Sequence, residues 1–302
     1  MIGSTDIDYV RPTSVSEVVE LLRVSDPRAR ILAGGTDLLV DLRSVRCRPV
    51  PERLIDIKSV PELQEIEVDE KGAHLTIGAA VPLNRIVEHP WIRQHVSGLA
   101  AAAASIGTYQ IRNRATLAGN LCNASPAADT APVLLALGAT LQIMDRDGAR
   151  LTPLKDFLVG VKKTTLAEDA FVSAVKLPVP AGTRTAFAKQ QRVRGHDLAV
   201  ASTGGAYSPD AQTIVVAIGS CAPTPVLFDP VLVGDSGVGD LAERLGHSAE
   251  QILSPIDDVR ASAAYRRGIV PVLIKQIILE LLGDDKLDLD LNAGGGTCTQ
   301  SR

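Results

Sequence analysis

The sequence has few aromatic residues, few cysteines and no excess of positive charge. Aromatic residues make up 3% of its 302 residues, so the core must be built from aliphatic and alanine side chains. Lysine and arginine number 31 against 35 aspartates and glutamates, a formal charge of −4. This balance excludes a nucleic-acid binder as the first interpretation, because phosphate binding needs a basic surface. No apolar run reaches the roughly 20 residues that span a bilayer, and the first residues lack the order of a secretory signal, so a cytoplasmic location is expected.

Several common site patterns are also missing. The four cysteines lie far apart, at positions 47, 122, 221 and 298, which argues against a disulfide framework or a local metal site. The chain lacks GxGxxG, GxxxxGK[ST], HExxH and GxSxG, so neither a Rossmann dinucleotide site nor a P-loop is indicated. The five histidines are scattered and are expected to be ordinary surface or interface residues.

Hydrophobic patterning predicts helices and strands that alternate along the chain, which is typical of an α+β or α/β architecture. The length corresponds to about two domains. The sequence PVPAG at 178–182 is the best candidate boundary, which divides the chain into domains over 1–180 and 181–285. Residues 286–302, rich in Gly, Thr and Ser, are predicted to form a flexible tail.

Composition predicts further elements around this boundary. The alanine-rich stretch 91–106 is expected to form a helix, because alanine has the best helix propensity. A short helix is predicted near 240–245, and a longer one over 260–282 with an interruption at Pro271. Residues 107–132 are dense in small and polar residues but contain no Lys or Glu, which predicts a buried loop that carries function.

The first candidate binding loop is ILAGGTDL, from Ile31 to Leu38. It passes from an apolar strand through Gly34 and Gly35 into a second apolar run. Glycines at such a turn let backbone N–H groups converge on an anion, and the next two residues add side-chain hydrogen bonds for phosphates or ribose. A plain tight turn is the alternative interpretation.

The second candidate loop begins at Thr116 and continues as LAGN, with Asn123, Ser125 and Asp129 following. Its small residues allow close approach of another backbone. Its hydroxyl, amide and carboxylate groups suit a polyhydroxyl chain or a pyrophosphate. A hydrogen-bonded structural loop is the alternative, but two such loops in one domain favour a nucleotide between them.

A series of short motifs extends along nearly the whole chain. They are AGGTDLL at 33–39, IDI at 55–57, IGA at 77–79, QIRN–T–x–x–GN–x–x–x–ASP–x–x–D at 110–129, DF at 156–157, FxK at 187–189 and SAxYRR at 262–267. In this order they resemble the FAD-binding medium subunit of the xanthine dehydrogenase, carbon monoxide dehydrogenase and aldehyde oxidoreductase family of molybdenum hydroxylases.

The resemblance implies noncovalently bound FAD and assigns its contacts by position. The implied FAD-binding residues are Ile31, Leu32, Ala33, Gly34, Gly35, Thr36, Asp37, Leu38, Ile106, Thr116, Gly119, Asn120, Asp129, Leu166 and Lys189. The first eight match the loop that cradles the pyrophosphate. The second loop is usually TxGGN, and Ala118 stands in place of its first glycine. Asp129 matches a carboxylate that bonds ribityl or ribose hydroxyls, Ile106 packs on the cofactor, and Leu166 and Lys189 match positions that line the flavin ring. No catalytic residue or metal ligand is implied in this chain.

The same resemblance implies a fold and a function. The fold is a two-part FAD-binding domain of the PCMH type, like that of vanillyl-alcohol oxidase, followed by a small α+β C-terminal domain. The function is electron transfer from the [2Fe–2S] clusters of a small partner subunit, through FAD, to an external acceptor. Substrate is oxidised on a large partner subunit with a molybdopterin cofactor, and the complex is expected to be a dimer of heterotrimers. Two alternatives stay open: an autonomous flavin-dependent oxidoreductase of the same superfamily, and a scaffold subunit that has lost its cofactor.

Overall fold

The structure, a computed structural model, describes residues 7–24, 28–44, 49–193, 195–234 and 236–283. Helices and strands are mixed along these residues, so the predicted α+β class is confirmed. The predicted tail, 286–302, lies outside the described residues. Within them, no helix combines the length and apolar character that a membrane span requires.

The N-terminal part forms a small parallel sheet with two helices. In chain order these elements are β1 (Asp8–Val10), α1 (Val15–Val24), β2 (Ala29–Leu32), α2 (Leu38–Arg43) and β3 (Arg53–Asp56). The sheet order is β1-β3-β2, and β3 pairs in parallel with both neighbours. Parallel strands need crossover connections, and the link from β2 through α2 to β3 is the predicted glycine turn followed by an apolar helix.

A second sheet has five antiparallel strands in the order β4-β5-β10-β6-β7. Two short 3₁₀ helices, Ile57–Ser59 and Pro61–Leu63, connect β3 to it. A separate hairpin, β8-β9, precedes β10 along the chain. The strands are β4 (Ile66–Val68), β5 (His74–Gly78), β6 (Thr140–Asp145), β7 (Gly148–Pro153), β8 (Leu158–Gly160), β9 (Lys163–Thr164) and β10 (Phe171–Pro178).

Short helices fill the long connection between β5 and β6, and one more follows β7. They are α3 (Leu83–Glu88), α4 (Pro90–His95), α5 (Ser97–Ala104), α6 (Tyr109–Arg112), α7 (Leu117–Cys122), α8 (Thr130–Ala136) and α9 (Leu154–Phe157). Except for α6, which has no buried residue, their apolar side chains join those of the second sheet in one hydrophobic core.

Two of the expectations for this helical region were wrong. The stretch 91–106 is two helices, broken at Val96 (φ −136°, ψ 48°). The break fits a distant contact, because the Gly98 N–H donates to Oγ1 of Thr185 at 2.9 Å and fixes the start of α5. The segment 107–132 is not a loop but holds three short helices. Two of them begin with a threonine cap, at Thr108 and Thr116. Polar residues of this segment therefore serve as helix N-caps.

The C-terminal part is an antiparallel sheet backed by two helices. The elements are β11 (Arg184–Gln190), β12 (Ala201–Ser208), β13 (Thr213–Gly219), β14 (Val226–Leu227), β15 (Val231–Leu232), α10 (Val238–Ile252) and α11 (Ala263–Leu282). α10 continues past the predicted 240–245, because Leu241, Leu245 and Ala249 are all buried at helical spacing. α11 runs through Pro271 without the predicted interruption.

The C-terminal sheet packs against the helices of the first part with one face and against α10 and α11 with the other. Side chains that alternate along β11 therefore enter two different cores. Ala186 and Ala188 of β11 pack in the core shared with α10 and α11. Phe187, between them, packs against the first core, and Lys189 reaches Asp129 of the first part. One sheet face therefore forms a seam with α5 and α8, and this seam lies behind the candidate site.

Candidate functional site

A cleft of about 720 Å³ lies between the first sheet, α7 and the segment that leads into β10. Its volume is within the range of small-molecule and cofactor sites, about 300–1,000 Å³. Ser125 and Asp129, two candidates of the second loop, are not among the residues that line it. The whole first loop, the start of the second loop and two of the predicted apolar positions do line it. These are Ile31, Leu32, Ala33, Gly34, Gly35, Thr36, Asp37, Leu38, Ile106, Thr116, Gly119, Asn120 and Leu166. The structure thus brings residues from four separate segments to one cavity.

The first loop owes its shape to two glycines with different constraints. A Cβ on Gly34 would lie 2.2 Å from the carbonyl oxygen of Arg114, so only glycine allows this loop to touch the backbone that precedes α7. Gly35 has φ +76°, in the left-handed region that favours glycine. The two candidate loops are therefore in direct backbone contact, as the sequence-based idea of a shared nucleotide site requires.

Backbone N–H groups of the first loop have unused hydrogen-bonding capacity. The N–H groups of Gly34, Gly35, Thr36 and Asp37 have no acceptor among the described residues. Backbone N–H groups in a folded protein normally have a partner. A run of them at the wall of a cleft is the arrangement that receives an anion such as a pyrophosphate.

The second loop is a helix start rather than an irregular loop. Thr116 caps α7, since its Oγ1 accepts the N–H of Gly119 at 3.1 Å. Asn120 is held through its Oδ1, which accepts the hydroxyl of Thr130 at 2.8 Å. Ala118, in the place of the usual glycine, is buried in the core and also lines the cleft.

A polar link crosses the rim of the cleft. Asn123 Nδ2 donates to Asp37 Oδ1 at 2.9 Å, and Lys162 Nζ donates to Asn123 Oδ1. Lys162 lies between β8 and β9 with φ +57°, and its N–H donates to the carbonyl of Ala124 at 2.9 Å. The first loop, the end of α7 and the β8-β9 hairpin are joined by these contacts.

Asp129 and Lys189 form a buried ion pair in the seam and are not part of the cleft wall. Lys189 Nζ donates to Asp129 Oδ2 at 2.7 Å and to the carbonyl of Ser105 at 3.3 Å. Ser105 also donates its hydroxyl to Asp129 Oδ2 at 3.1 Å. Ser105 directly precedes Ile106, which lines the cleft, so this segment connects the pair to the cleft wall.

The second oxygen of Asp129 is unusual. Oδ1 is buried and has no hydrogen-bond partner among the described residues. Burial raises the pKa of Asp129, and the ammonium group of Lys189 opposes this rise. A buried carboxylate oxygen without a partner is costly, so this atom is suited to accept a hydrogen bond from a ligand.

On one side of the cleft, sequence reasoning found Leu166 and missed its neighbours. Lys162, Thr164, Glu168, Phe171 and Val172 line this side, but they lie outside the motifs that identified the two loops. The left-handed backbone of Lys162 leaves no signal in a single sequence, because lysine is not a residue type associated with that conformation.

Comparison with known proteins identifies the family. Residues 5–180 match the family described as the FAD binding domain in molybdopterin dehydrogenase. The chain belongs to this family. Residues 186–281 match a second family, the CO dehydrogenase flavoprotein C-terminal domain. The resemblance predicted from the motifs is therefore confirmed, and FAD is the cofactor of the matched family.

Relatives of this FAD-binding chain align over most of its length. The xanthine dehydrogenase FAD-binding subunit of Escherichia coli O157:H7 is 29% identical over 280 residues, covering 90% of this chain and 94% of that subunit. The nicotine 6-hydroxylase medium subunit of Paenarthrobacter nicotinovorans is 33% identical over 279 residues, covering 91% and 96%. A solved chain of the carbon monoxide dehydrogenase of Hydrogenophaga pseudoflava, in a form that lacks the Mo-pyranopterin moiety, matches with a TM-score of 0.81 at 27% identity, covering 91% and 97%. The two sequence relatives are named as subunits, and this chain is likewise an oxidoreductase subunit.

The residues of this chain fit the cofactor of the family. The unpaired N–H groups of the first loop suit the pyrophosphate of FAD. Asp129 and Lys189, which the resemblance also assigned to FAD, lie outside the cleft wall, and the unpaired oxygen of Asp129 is buried. Ile106 and Leu166 give the cleft apolar walls for a ring system. Within the described part of the chain, no three His, Cys, Asp or Glu side chains come together as a metal site.

Proposed function

We propose that this chain is the FAD-binding electron-transfer subunit of a heteromeric molybdenum hydroxylase. It passes electrons from the [2Fe–2S] clusters of a partner subunit through FAD to an external acceptor. The observation that carries this proposal is the cleft in which both loops of the FAD-binding family meet, with unpaired N–H groups in one of them. The relatives, which are medium or FAD-binding subunits of dehydrogenases and hydroxylases, support it.

Each group of residues has a distinct task in this proposal. The N–H groups from Gly34 to Asp37 bind the pyrophosphate, and the capped start of α7 closes the other side. Asp129 accepts a ribityl or ribose hydroxyl through its unpaired oxygen, while Lys189 stays hydrogen-bonded to its other oxygen. Ile106 and Leu166 exclude water from the ring. Bound FAD supplies the redox chemistry, since a flavin exchanges electrons singly or in pairs.

The partners follow from the same proposal. A small subunit carries the [2Fe–2S] clusters, a large subunit carries the molybdopterin cofactor, and the assembly is a dimer of heterotrimers in the cytoplasm. Within this chain, 1–180 is the FAD-binding domain and 181–285 is the C-terminal domain. The names of relatives as medium chains or subunits support the existence of partners.

The test of the function is purification of the chain with its native partners, followed by their separation. The intact complex is expected to transfer electrons from substrate to an artificial acceptor, and its subunits are identified by mass spectrometry. After separation, this chain should keep FAD but lose turnover. Reduction of its flavin by an organic substrate in the absence of partners would instead identify an autonomous flavoenzyme, and a colourless chain that does not take up FAD would identify a scaffold.

The test of the site is Gly35→Val, with Gly72→Val as its control. Both glycines have positive φ, +76° and +65°, so valine strains both backbones. Gly72 lies in open surroundings in the turn between β4 and β5, far along the chain from either loop. We expect folded Gly35→Val protein to lose FAD and Gly72→Val protein to retain it. Full FAD occupancy in folded Gly35→Val protein would place the phosphate elsewhere.

A further inference from the structure

The motif IDI at 55–57 contains a buried acid that the proposed FAD contacts do not use. Asp56, the last residue of β3, is 3% exposed. It accepts the hydroxyl of Tyr9 from β1, the backbone N–H of Lys58 at 3.0 Å, and the ammonium group of Lys58 at 2.6 Å. A buried carboxylate with three donors is a fixed point in the fold.

Lys58 connects this fixed point to the first binding loop. Its Nζ also donates to the carbonyl oxygen of Ala33 at 2.9 Å. The strand register makes the contact local, because Leu32 of β2 is the parallel partner of Asp56 of β3. Both strands therefore end at the same level, and the residues that follow them leave the sheet side by side, where the loop begins.

The hydrogen bond to Ala33 controls the direction of the next N–H group. A trans peptide is planar, and its C=O and N–H point to opposite sides. Ala33 C=O and Gly34 N–H belong to one peptide unit, so a carbonyl held toward Lys58 turns the Gly34 N–H away from it. That N–H is one of the loop groups without an acceptor among the described residues.

The loop is thus held at two adjacent points. Lys58 holds the carbonyl of Ala33, and the next residue, Gly34, lies against the backbone of Arg114, where a Cβ would be 2.2 Å from the carbonyl oxygen. With both contacts in place, the peptide between Ala33 and Gly34 has little freedom to rotate. A rigid loop loses less conformational entropy on binding, and this improves affinity.

The charge state of the pair suits a permanent role. Burial raises the pKa of Asp56, but hydrogen bonds from Lys58 and Tyr9 outweigh this and hold the pKa below its usual range. The hydrogen bond to Asp56 in turn raises the pKa of Tyr9. Asp56 is therefore ionised at neutral pH and retains Lys58 there.

We propose that Lys58, held by Asp56, is a positioning residue that keeps the first loop in its FAD-binding conformation through the carbonyl of Ala33. This inference rests on the proposed binding of FAD in the cleft. It assigns the IDI motif a role in cofactor binding without a contact to the cofactor. Lys58 acts by fixing a peptide orientation and not by placing its own positive charge near the phosphates.

The experiment measures the dissociation constant of FAD for the full chain and four variants. Lys58→Met removes the donor but keeps the side-chain length, and Lys58→Arg keeps donors for both Asp56 and Ala33. Lys71→Met is the matched control at an exposed lysine in the turn between β4 and β5. Asp56→Asn leaves the positive charge of Lys58 but loosens its attachment. Urea unfolding of each apoprotein establishes that the compared proteins are folded.

The expected result is a dissociation constant raised about 10- to 100-fold in Lys58→Met, the range for a hydrogen bond to a charged group. Lys71→Met should equal the wild type, and Lys58→Arg should recover most of the affinity. Asp56→Asn should weaken FAD binding, although it adds net positive charge near an anionic ligand. A role of Lys58 as a simple charge predicts the opposite sign for Asp56→Asn.

Two results would overturn the inference alone. One is that the wild-type chain binds FAD and the Lys58→Met variant binds it with the same affinity. The other is tighter FAD binding in Asp56→Asn, which would assign Lys58 an electrostatic role. A folded wild-type chain that binds no FAD would instead overturn the proposed function, and this inference with it.

Discussion

Two ion pairs among the described residues differ in how completely the acid is hydrogen-bonded; the acid of one is buried and that of the other is half-buried. In the seam behind the cleft, Asp129 pairs with Lys189 at 2.7 Å. In the C-terminal part, Asp258 pairs with Arg266, also at 2.7 Å. The separations are the same, but the surroundings of the two carboxylates are not.

Asp258 uses both of its oxygens within the protein. Oδ1 accepts from Arg266 and from the backbone N–H groups of Arg260 and Ala261, and Oδ2 accepts from the guanidinium of Arg260. Burial raises the pKa of Asp258, but these hydrogen bonds outweigh it and hold the pKa well below its usual range. Both oxygens of this carboxylate are therefore bonded within the protein, which suits a role in holding the fold. The remaining unpaired atom of this pair is Arg266 Nε, a donor that is buried without a partner among the described residues.

Asp129 uses one oxygen and leaves the other without a partner among the described residues. Burial raises the pKa of Asp129, the opposite direction from Asp258. Burial and pairing are therefore compatible with different states of the acid itself. Asp129 keeps a free acceptor oxygen, whereas the acceptor oxygens of Asp258 are all used within the protein.

The largest effect is expected for Arg266→Met. This change removes the donor to Asp258 and to the carbonyls of Val200 and Ser220, which then stay buried. The free energy of unfolding should fall by about 3–5 kcal/mol, the cost of removing one partner of a buried pair. Urea denaturation measures it, and the FAD affinity of the folded fraction should equal that of the wild type. A large loss of FAD affinity would show that the two pairs are not functionally separate.

The second-largest effect is expected at low pH, where Asp258 should contribute less to the free energy of unfolding. Its pKa in the folded state lies below the unfolded value of about 3.9, so the ionised form stabilises the fold above about pH 4. This stabilisation is lost as the pH falls toward the folded pKa. The difference in unfolding free energy between wild type and Asp258→Asn should therefore shrink from pH 7 to pH 3. A difference that stays constant would show that the charge of Asp258 does not contribute to stability.

Asp129→Asn tests the ligand role of the other pair. It keeps the shape of the side chain but removes the charged acceptor, so FAD binding should weaken by about 1.5–3 kcal/mol. Fluorescence titration of the apoprotein with FAD measures this, with Asp258→Asn as the matched control at the fully hydrogen-bonded acid. Equal FAD affinities for both variants and the wild type would contradict the distinction drawn between the two acids.

The smallest effect is expected for Ser105→Ala. The Ser105 hydroxyl lies within hydrogen-bond distance of both Asp129 Oδ2, at 3.1 Å, and the carbonyl of Ala102, at 2.7 Å. Its single proton serves one acceptor at a time, so the loss in FAD binding should be about 0.5 kcal/mol, at the low end for a hydrogen bond. A loss as large as that of Asp129→Asn would mean that Ser105 itself contacts the cofactor.

The parts of the site that the sequence predicted are those fixed by local chemistry. Gly34 and Gly35 follow a strand and precede an apolar run, and Thr116 precedes a helix start, so their roles can be deduced from neighbouring residues. Asp129 follows the second loop and is a candidate from its carboxylate group alone, whereas Lys189 comes only from the motif resemblance. The two lie 60 residues apart and meet through the sheet packed on α8.

The parts that could not be predicted depend on distant contacts. The helix break at Val96 coincides with a contact between α5 and Thr185, 87 residues beyond Gly98. Lys58 has a role only because parallel pairing brings β3 beside β2. Single-sequence patterns report periodicity and turn chemistry, and neither contains information on which strands become neighbours.

The most direct test of the account is a titration of the purified full-length apoprotein with FAD, followed by flavin absorbance and fluorescence. We expect one FAD per chain, bound noncovalently and released intact when the protein is denatured. A folded chain that binds no FAD, or that binds it with the same affinity when Gly35 is replaced by valine, would contradict the assignment of the cleft.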